Sequence, residues 1–338
     1  MTTHSIALSV VIPTYQRRTS VARLLNSLAN QTLAADRYEV IVVIDGSTDG
    51  TSELVAQLVT PYRLRAIGQP NQGRATACNT GIAAAQGEVI VLLDDDMEAT
   101  PALLAAHLRA HADHAAQAIV GAAPIPLQPA ASPLVQFMSA GFAHRLARFA
   151  QPGYQLRFKE AYSGNFSIRR ATLLQVGGFD QAFTVYGYED YELALRLAQA
   201  GVQLCYSAEA LAYQHYTKTF AGVARDSMAR GRSALVFAQK HPAIVPELKL
   251  NQYADGSRKW RLVRGALLWL SRWLKVTPAL VIWLVQRLEQ WRPKQMALVY
   301  SLTLDYCYWL GVQTGLQAQP QRAQAPDPFP VLAGKAPQ

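Results

Sequence analysis

Residues 87–101 read GEVIVLLDDDMEATP: an apolar, β-branched run ends directly on three carboxylates, Asp94, Asp95 and Asp96. Crowded like charges cost free energy, so the cluster calls for a positive partner, which is either a side chain, a metal ion or the dipoles of water. The run is five to six residues long and bounded by Gly87, the length and punctuation of a buried strand. Thr100 and Pro101 beyond it have the chemistry of a helix N-cap and first helical residue, with a helix expected through Leu104 and Leu108.

Working outward, the same alternation recurs. Leu8 to Ile12 reads as a strand, followed by Val21, Leu24, Leu25 and Leu28 at helical spacing. Glu39 to Ile44 is a second strand that ends at Asp45, and an Ala-rich helix runs from about Gly73 to near Gly87. Strands alternating with helices predict an α/β fold, a mainly parallel sheet with helices on both faces. In such sheets ligands bind beyond the carboxyl ends of the strands. There the chain places Thr14, Asp45 and the aspartate trio. Residues 121–160 are proline-punctuated and read as an irregular excursion with one short helix, placed to shape an acceptor site.

Three consecutive acids after a buried strand suit a hard divalent cation, Mg²⁺ or Mn²⁺, whose open positions take phosphate oxygens; a solvated acidic turn is the plain alternative. DGSTDGT at 45–51 is not an EF-hand loop, because its twelfth position is Ala56 and the bidentate Glu is missing. VVIPTYQRR, not a glycine-rich phosphate loop, follows the first strand, and there is no Walker motif.

A helix is expected from about Tyr188 to Gly201. In it Asp190, Leu193 and Leu197 share the inward face, and Glu192 with Arg196 forms an i, i+4 pair on the solvated side. An inward carboxylate at a helix start suits either dipole stabilisation or a general base. His215 alternates with Tyr213 and Leu211 on one strand face, where a core histidine is the commoner finding.

Taken in order, VVIPTYQR, EVIVVIDGSTDGT, QPNQGRATACNTGIAAAQGEVIVLLDDDMEATP, SGNFSIRRATLLQVGGFD and YEDYELALRLAQAG resemble the inverting glycosyltransferases of family 2, over roughly residues 7 to 216. The resemblance implies the GT-A fold and a nucleotide-sugar donor, UDP-linked by family frequency. It implies donor contacts by Thr14, Asp45 on the base edge and Asp95 on ribose or sugar. Asp94 and Asp96 would form a DxD-type metal site for Mg²⁺ or Mn²⁺ that His215 matches more loosely, and Asp190 would be the catalytic base. Rival readings are a sugar-phosphate nucleotidyltransferase, which would want the missing glycine-rich turn, and a non-catalytic sugar-nucleotide-binding protein.

The formal charge is +9, and residues 251–338 hold 11 Lys and Arg against 4 acids. All six tryptophans lie between 260 and 309. At roughly 100° per residue, Arg261, Arg264, Arg272 and Lys275 fall within an arc of about 80°, opposite Val263, Leu267, Leu270 and Leu274. This is the pattern of an interfacial helix with its basic side toward anionic headgroups; a packed helical subdomain or a dimer interface are the alternatives. A nucleic-acid partner is not expected, since it leaves the acidic cluster without a purpose. Spans are not expected, because the uncharged run Val276 to Gln286 is short and Asp305 interrupts the next apolar stretch. The expected organisation is a catalytic domain over 1–240, a membrane-associating or packing segment over 241–317, with the contact at 260–317, and a disordered tail over 318–338. No signal peptide is read, and scattered cysteines fit a cytoplasmic protein; the basic tail together with the family resemblance implies a place at the inner membrane face and the extension of a lipid-linked or cell-surface glycan.

Overall fold

A computed structural model describes residues 6–112, 117–292 and 295–318; the tail expected to be disordered lies outside these but for Ala318. The described chain forms two compact units, Met1–Thr184 with Tyr188–Thr217, and Val185–Gly187 with the chain from Lys218 onward.

The first unit contains β1 (Leu8–Thr14), α1 (Arg18–Leu28), β2 (Tyr38–Asp45), α2 (Thr51–Gln57), β3 (Arg63–Gln69), α3 (Arg74–Ala84), β4 (Val89–Leu93), β5 (Met97–Ala99) and α4 (Leu103–Ala110). It continues with β6 (Gln117–Ala122), α5 (Pro133–Phe149), β7 (Asn165–Arg169), α6 (Arg170–Gln175), α7 (Glu189–Gln199) and β8 (Gln203–Gln214). The sheet order is β3-β2-β1-β4-β7-β6-β8-β5. β3, β2, β1 and β4 are parallel, whereas β7 runs antiparallel between β4 and β6. One core packs Leu24, Leu25 and Leu28 of α1 under β1 and β2; a second packs Ile82, Leu193 and Leu197 on the other face. Thus the sheet is covered on both sides.

Three local expectations are corrected. β1 runs through Pro13 to Thr14, because pairing with β4 ends at Val11↔Leu92 and the missing N–H of proline falls beyond it. Thr100 does not cap a helix. Its hydroxyl donates to Leu211 O at 2.7 Å, residues 97–99 pair with β8, and α4 starts only at Leu103. The excursion at 121–160 carries not a short helix but the 17-residue α5, with Ser132 accepting from Val135 N and Pro133 at the first turn.

The second unit is helical: α8 (Phe220–Lys240), α9 (Arg258–Trp273), α10 (Thr277–Trp291) and α11 (Met296–Ala318). α8 and α11 meet backbone to backbone. A Cβ on Gly231 would lie 2.0 Å from Tyr308 O, and one on Gly311 only 1.9 Å from Met228 O. Asp305 on α11 ties α9 down: it accepts from Arg264 Nη1 at 2.8 Å and Trp260 Nε1 at 3.0 Å, and pairs with Lys249 at 2.9 Å. Burial would raise its carboxyl, but Lys249, Trp260 and Arg264 together hold it below its ordinary value. The Arg264 guanidinium also lies 4.6 Å over the ring of Tyr253.

The expected basic arc is therefore broken. Arg264 is buried, and the face of α9 that turns outward carries Leu262, Trp269 and Trp273. None of the described helices is long and apolar enough to cross a membrane.

Candidate active site

The sheet order reverses at β1. The chain lays β2 and β3 on one side of it and then returns to place β4 on the other, so the crevice beyond the ends of β1 and β4 is the switch point where α/β sheets bind ligands. Thr14 ends β1, and its hydroxyl donates to Asp95 Oδ2 at 2.8 Å across that point. Burial pushes the Asp95 carboxyl up to about 7; the Thr14 hydrogen bond opposes the rise and the adjacent Asp96 and Asp94 add to it.

The positive partner sought by the aspartate cluster is a side chain. Arg74, the first residue of α3, donates from Nη2 to Asp94 Oδ1 at 2.7 Å. Its Nη1 donates to Ser163 Oγ at 2.8 Å and lies 3.5 Å from Asp190 Oδ1. The Ser163 hydroxyl in turn donates to Asp190 Oδ1. Asp94 and Asp190 stand on different elements, yet one guanidinium and one hydroxyl join them. Burial raises the Asp190 carboxyl above its ordinary value, while Arg74 and Ser163 pull in the opposite direction. The same carboxylates keep Arg74 firmly protonated against the cost of its own burial.

Backbone geometry fixes this arrangement. Asp94 N donates to Gly164 O at 3.0 Å, and a Cβ at 164 would sit 2.5 Å from Asp94 Oδ2, so the close approach requires glycine. Tyr188, which precedes α7, has φ 69°, a left-handed conformation costly for an aromatic residue. It turns the chain so that Asp190 falls in the first helical turn. Strained residues of this kind persist where the surroundings over-determine them, commonly at functional sites.

The remaining expected residues divide. Asp45 is buried at the end of β2, where Oδ1 accepts from Gln69 Nε2 at 2.8 Å and Gln72 N at 2.9 Å, and Oδ2 from Gly73 N at 2.9 Å. It fastens the turn that delivers Arg74. Asp96 is buried beside the Gln214 amide nitrogen at 3.3 Å. His215 is drawn elsewhere: its backbone N donates to Asp96 O, but its ring Nε2 lies 2.5 Å from Glu98 Oε2. Among the described residues no three His, Cys, Asp or Glu side chains close on one point. The donor set that remains is oxygen, namely the carboxylates of Asp94 and Asp96, with the Gln214 amide beside Asp96 and its Oε1 buried without a hydrogen-bond partner among the described residues. Oxygen ligands of this kind fit a hard divalent cation.

Glu192 is not on a solvated face. It is 2% exposed, and both its oxygens accept from Arg196, which also donates to Val176 O and Gly178 O. The pair pins the 176–178 turn. Arg74 was assigned no role from the sequence, although the demand for a cation beside the trio was the signal that could have found it.

This mainly parallel sheet with a reversal crevice lined by carboxylates is a GT-A glycosyltransferase fold. Residues 9–174 match the family described as Glycosyl transferase family 2, and residues 143–221 match one described as N-terminal domain of galactosyltransferase. The chain belongs to glycosyltransferase family 2. It is 32% identical over 273 residues to validoxylamine A glucosyltransferase of Streptomyces hygroscopicus subsp. jinggangensis, an alignment that takes in 73% of this chain and 64% of that relative. The chain thus spans a little under two thirds of that relative's length. Two solved structures share the fold. Mannosyltransferase PcManGT from Pyrobaculum calidifontis, in complex with GDP-Man and Mn²⁺, has TM-score 0.63 at 20% identity, covering 92% of this chain and 88% of that one. TarS 1-349 of S. aureus, in complex with UDP-GlcNAc, has TM-score 0.52 at 15% identity, covering 94% and 93%.

Proposed function

We propose that this chain is a metal-dependent inverting glycosyltransferase that moves a sugar from a nucleotide-sugar donor, UDP-linked, to a hydroxyl of a lipid-linked or cell-surface glycan. The observation that carries the reading is the Asp94–Arg74–Ser163–Asp190 connection at the sheet's reversal crevice. It sets a carboxylate suited to proton abstraction on the same support as one suited to a cation.

Asp190 is the general base. An acceptor hydroxyl loses its proton to the carboxylate as its oxygen bonds to the anomeric carbon, and the bond from that carbon to the diphosphate breaks on the opposite face, which inverts the centre. Burial raises the carboxyl and makes the carboxylate a better base, while Arg74 opposes that rise. Mg²⁺ or Mn²⁺ on Asp94 and Asp96 would neutralise charge on the departing diphosphate. Thr14, Asp45 and Asp95 serve the nucleotide side of the donor, and His215 is kept as a ligand only if its ring leaves Glu98. The PcManGT complex with GDP-Man and Mn²⁺ and the TarS complex with UDP-GlcNAc support both a nucleotide-sugar donor and the ion. The same reading places the protein at the cytoplasmic face of the cell membrane, held peripherally through residues 260–317.

The test is a panel of nucleotide sugars, assayed for binding and transfer with Mn²⁺, Mg²⁺ or chelator. Asp190→Asn is expected to lower transfer by about 10²- to 10⁴-fold while donor affinity stays within a few-fold. Equal loss of both would make Asp190 structural. Indifference of the wild type to every donor in all three conditions overturns the reading.

A further inference from the structure

The helical unit turns its apolar side outward. On α9, Leu262, Trp269 and Trp273 recur at i, i+7 and i+11, and are 76%, 65% and 68% exposed. That stripe lies opposite Arg264 and Leu268, the residues through which α9 is buried. The exposed run continues through Leu274, Lys275 and Val276 into α10, where Leu280, Leu284 and Trp291 again share one face, with Trp291 82% exposed. Val285, on the other side of α10, is buried. Water-facing tryptophan in such a pattern implies a partner.

We propose that this stripe of α9 and α10 lies in the plane of an anionic phospholipid bilayer, with the indoles at the boundary of headgroup and acyl chain. The inference rests on the membrane part of the reading above and reverses its expected orientation: the tryptophan stripe, not an arginine arc, meets the lipid.

Charge selects this occupant. Arg258, Arg261 and Arg272 run along one flank of the α9 stripe and are exposed, with Lys275 at its end, where headgroup phosphates would meet them. On α10 the Arg287 guanidinium folds back 5.5 Å over the Trp283 ring, an amphipathic arrangement that keeps charge at the wet edge of an apolar face. Two copies of this chain apposed through these faces would bring the same arginines together with no acid on the stripe to pair them: α9 contains no Asp or Glu, and Glu289 of α10 lies roughly 180° around the helix from Leu280. Neither α9 nor α10 is long and apolar enough to cross. Tryptophan with basic neighbours belongs at a lipid–water interface.

The full chain is tested by flotation with vesicles of phosphatidylcholine alone and with a third phosphatidylglycerol, at low and high salt. Anionic vesicles are expected to bind at least tenfold more protein than neutral ones, with salt reducing the difference. Trp269→Gln with Trp273→Gln is expected to lower partition at least tenfold without changing the melting temperature. Brominated lipid is expected to quench wild-type tryptophan emission, an observation independent of any variant. Unchanged partition of the double variant, absent quenching, or a concentration-dependent dimer that the double variant abolishes would each overturn the proposal. Donor binding measured on the same preparations separates the two readings, because its loss leaves the vesicle result standing and its persistence does not rescue a failed one.

Discussion

The sheet unit hides charge and the helical unit displays grease. Glu39, Asp45, Asp96, Glu189 and Glu192 are all under one tenth exposed in the first, whereas Leu262, Trp269, Trp273 and Trp291 are more than half exposed in the second. Each arrangement is costly in water alone. Under the two proposals above, the regions would be completed by opposite chemistries: a charged small molecule beside Asp94 and Asp190, and an apolar surface against the indoles. In the first region the protein has prepaid the organisation with Arg74, Ser163 and backbone amides; in the second it leaves the partner to supply the contact.

The comparison breaks most severely at Arg74. Arg74→Ala removes the group shared by Asp94 and Asp190, so kcat/KM should fall by about 10²-fold or more. Arg74 lowers the Asp190 pKa, so without it the carboxylate needs a higher pH to ionise. The acid limb of the kcat/KM profile should move to higher pH, and Arg74→Lys should restore it toward wild type. A limb that stays put would detach Arg74 from the base.

Two arginines of α9 sharpen the contrast on the other side. Arg264→Ala leaves Asp305 with Lys249 and Trp260 but removes its buried guanidinium partner, and should cost about 1.5–3 kcal/mol of stability by urea unfolding. Arg261→Ala, on an exposed residue, should stay within about 0.5 kcal/mol and instead weaken vesicle binding. Equal destabilisation by both would refute the division between a buried and an outward face.

The smallest effect concerns acid. His107 and His111 are buried against Asn165 and Ser167 of β7, and burial pushes both down to about 4 from 6.5. Asn165 Nδ2 donates to Ala122 O and Ala210 O, so its Oδ1 accepts from His107 Nε2; the Ser167 hydroxyl must then donate to His107 Nδ1 and accept from His111 Nε2. Both rings are neutral, and His111 Nδ1 has no partner among the described residues. Since the depressed value belongs to the folded state, their stabilisation is complete above pH 6.5 and is lost as pH falls toward about 4. Urea midpoints should decline over that window, and His111→Gln should flatten the decline. An unchanged slope would place the acid sensitivity elsewhere.

Much of the sheet unit was legible because its strands are near-continuous β-branched runs and its site residues directly follow them, as Thr14, Asp45 and Asp94 do. The helix bearing Asp190 was legible from Leu193 and Leu197. Arg74 was not, since its partners stand 20 and 116 residues away and one-dimensional spacing carries no such contact. Glu192 with Arg196 looked like a surface pair because an i, i+4 pattern is silent about the carbonyls of Val176 and Gly178 that need a donor. α9 misled for a different reason. Both of its sides mix arginine with leucine, so periodicity finds the stripes but not which one a neighbour covers; Asp305, some forty residues on, decides it.

Gly164 has a consequence for anyone wishing to redirect this protein. The floor beneath Asp94 has no room for even one added carbon, so variation introduced there is spent on breaking the site rather than reshaping it. Substitutions meant to spare that floor belong well before Ser163 and Gly164 in the long segment between β6 and β7, in its exposed stretch 126–130.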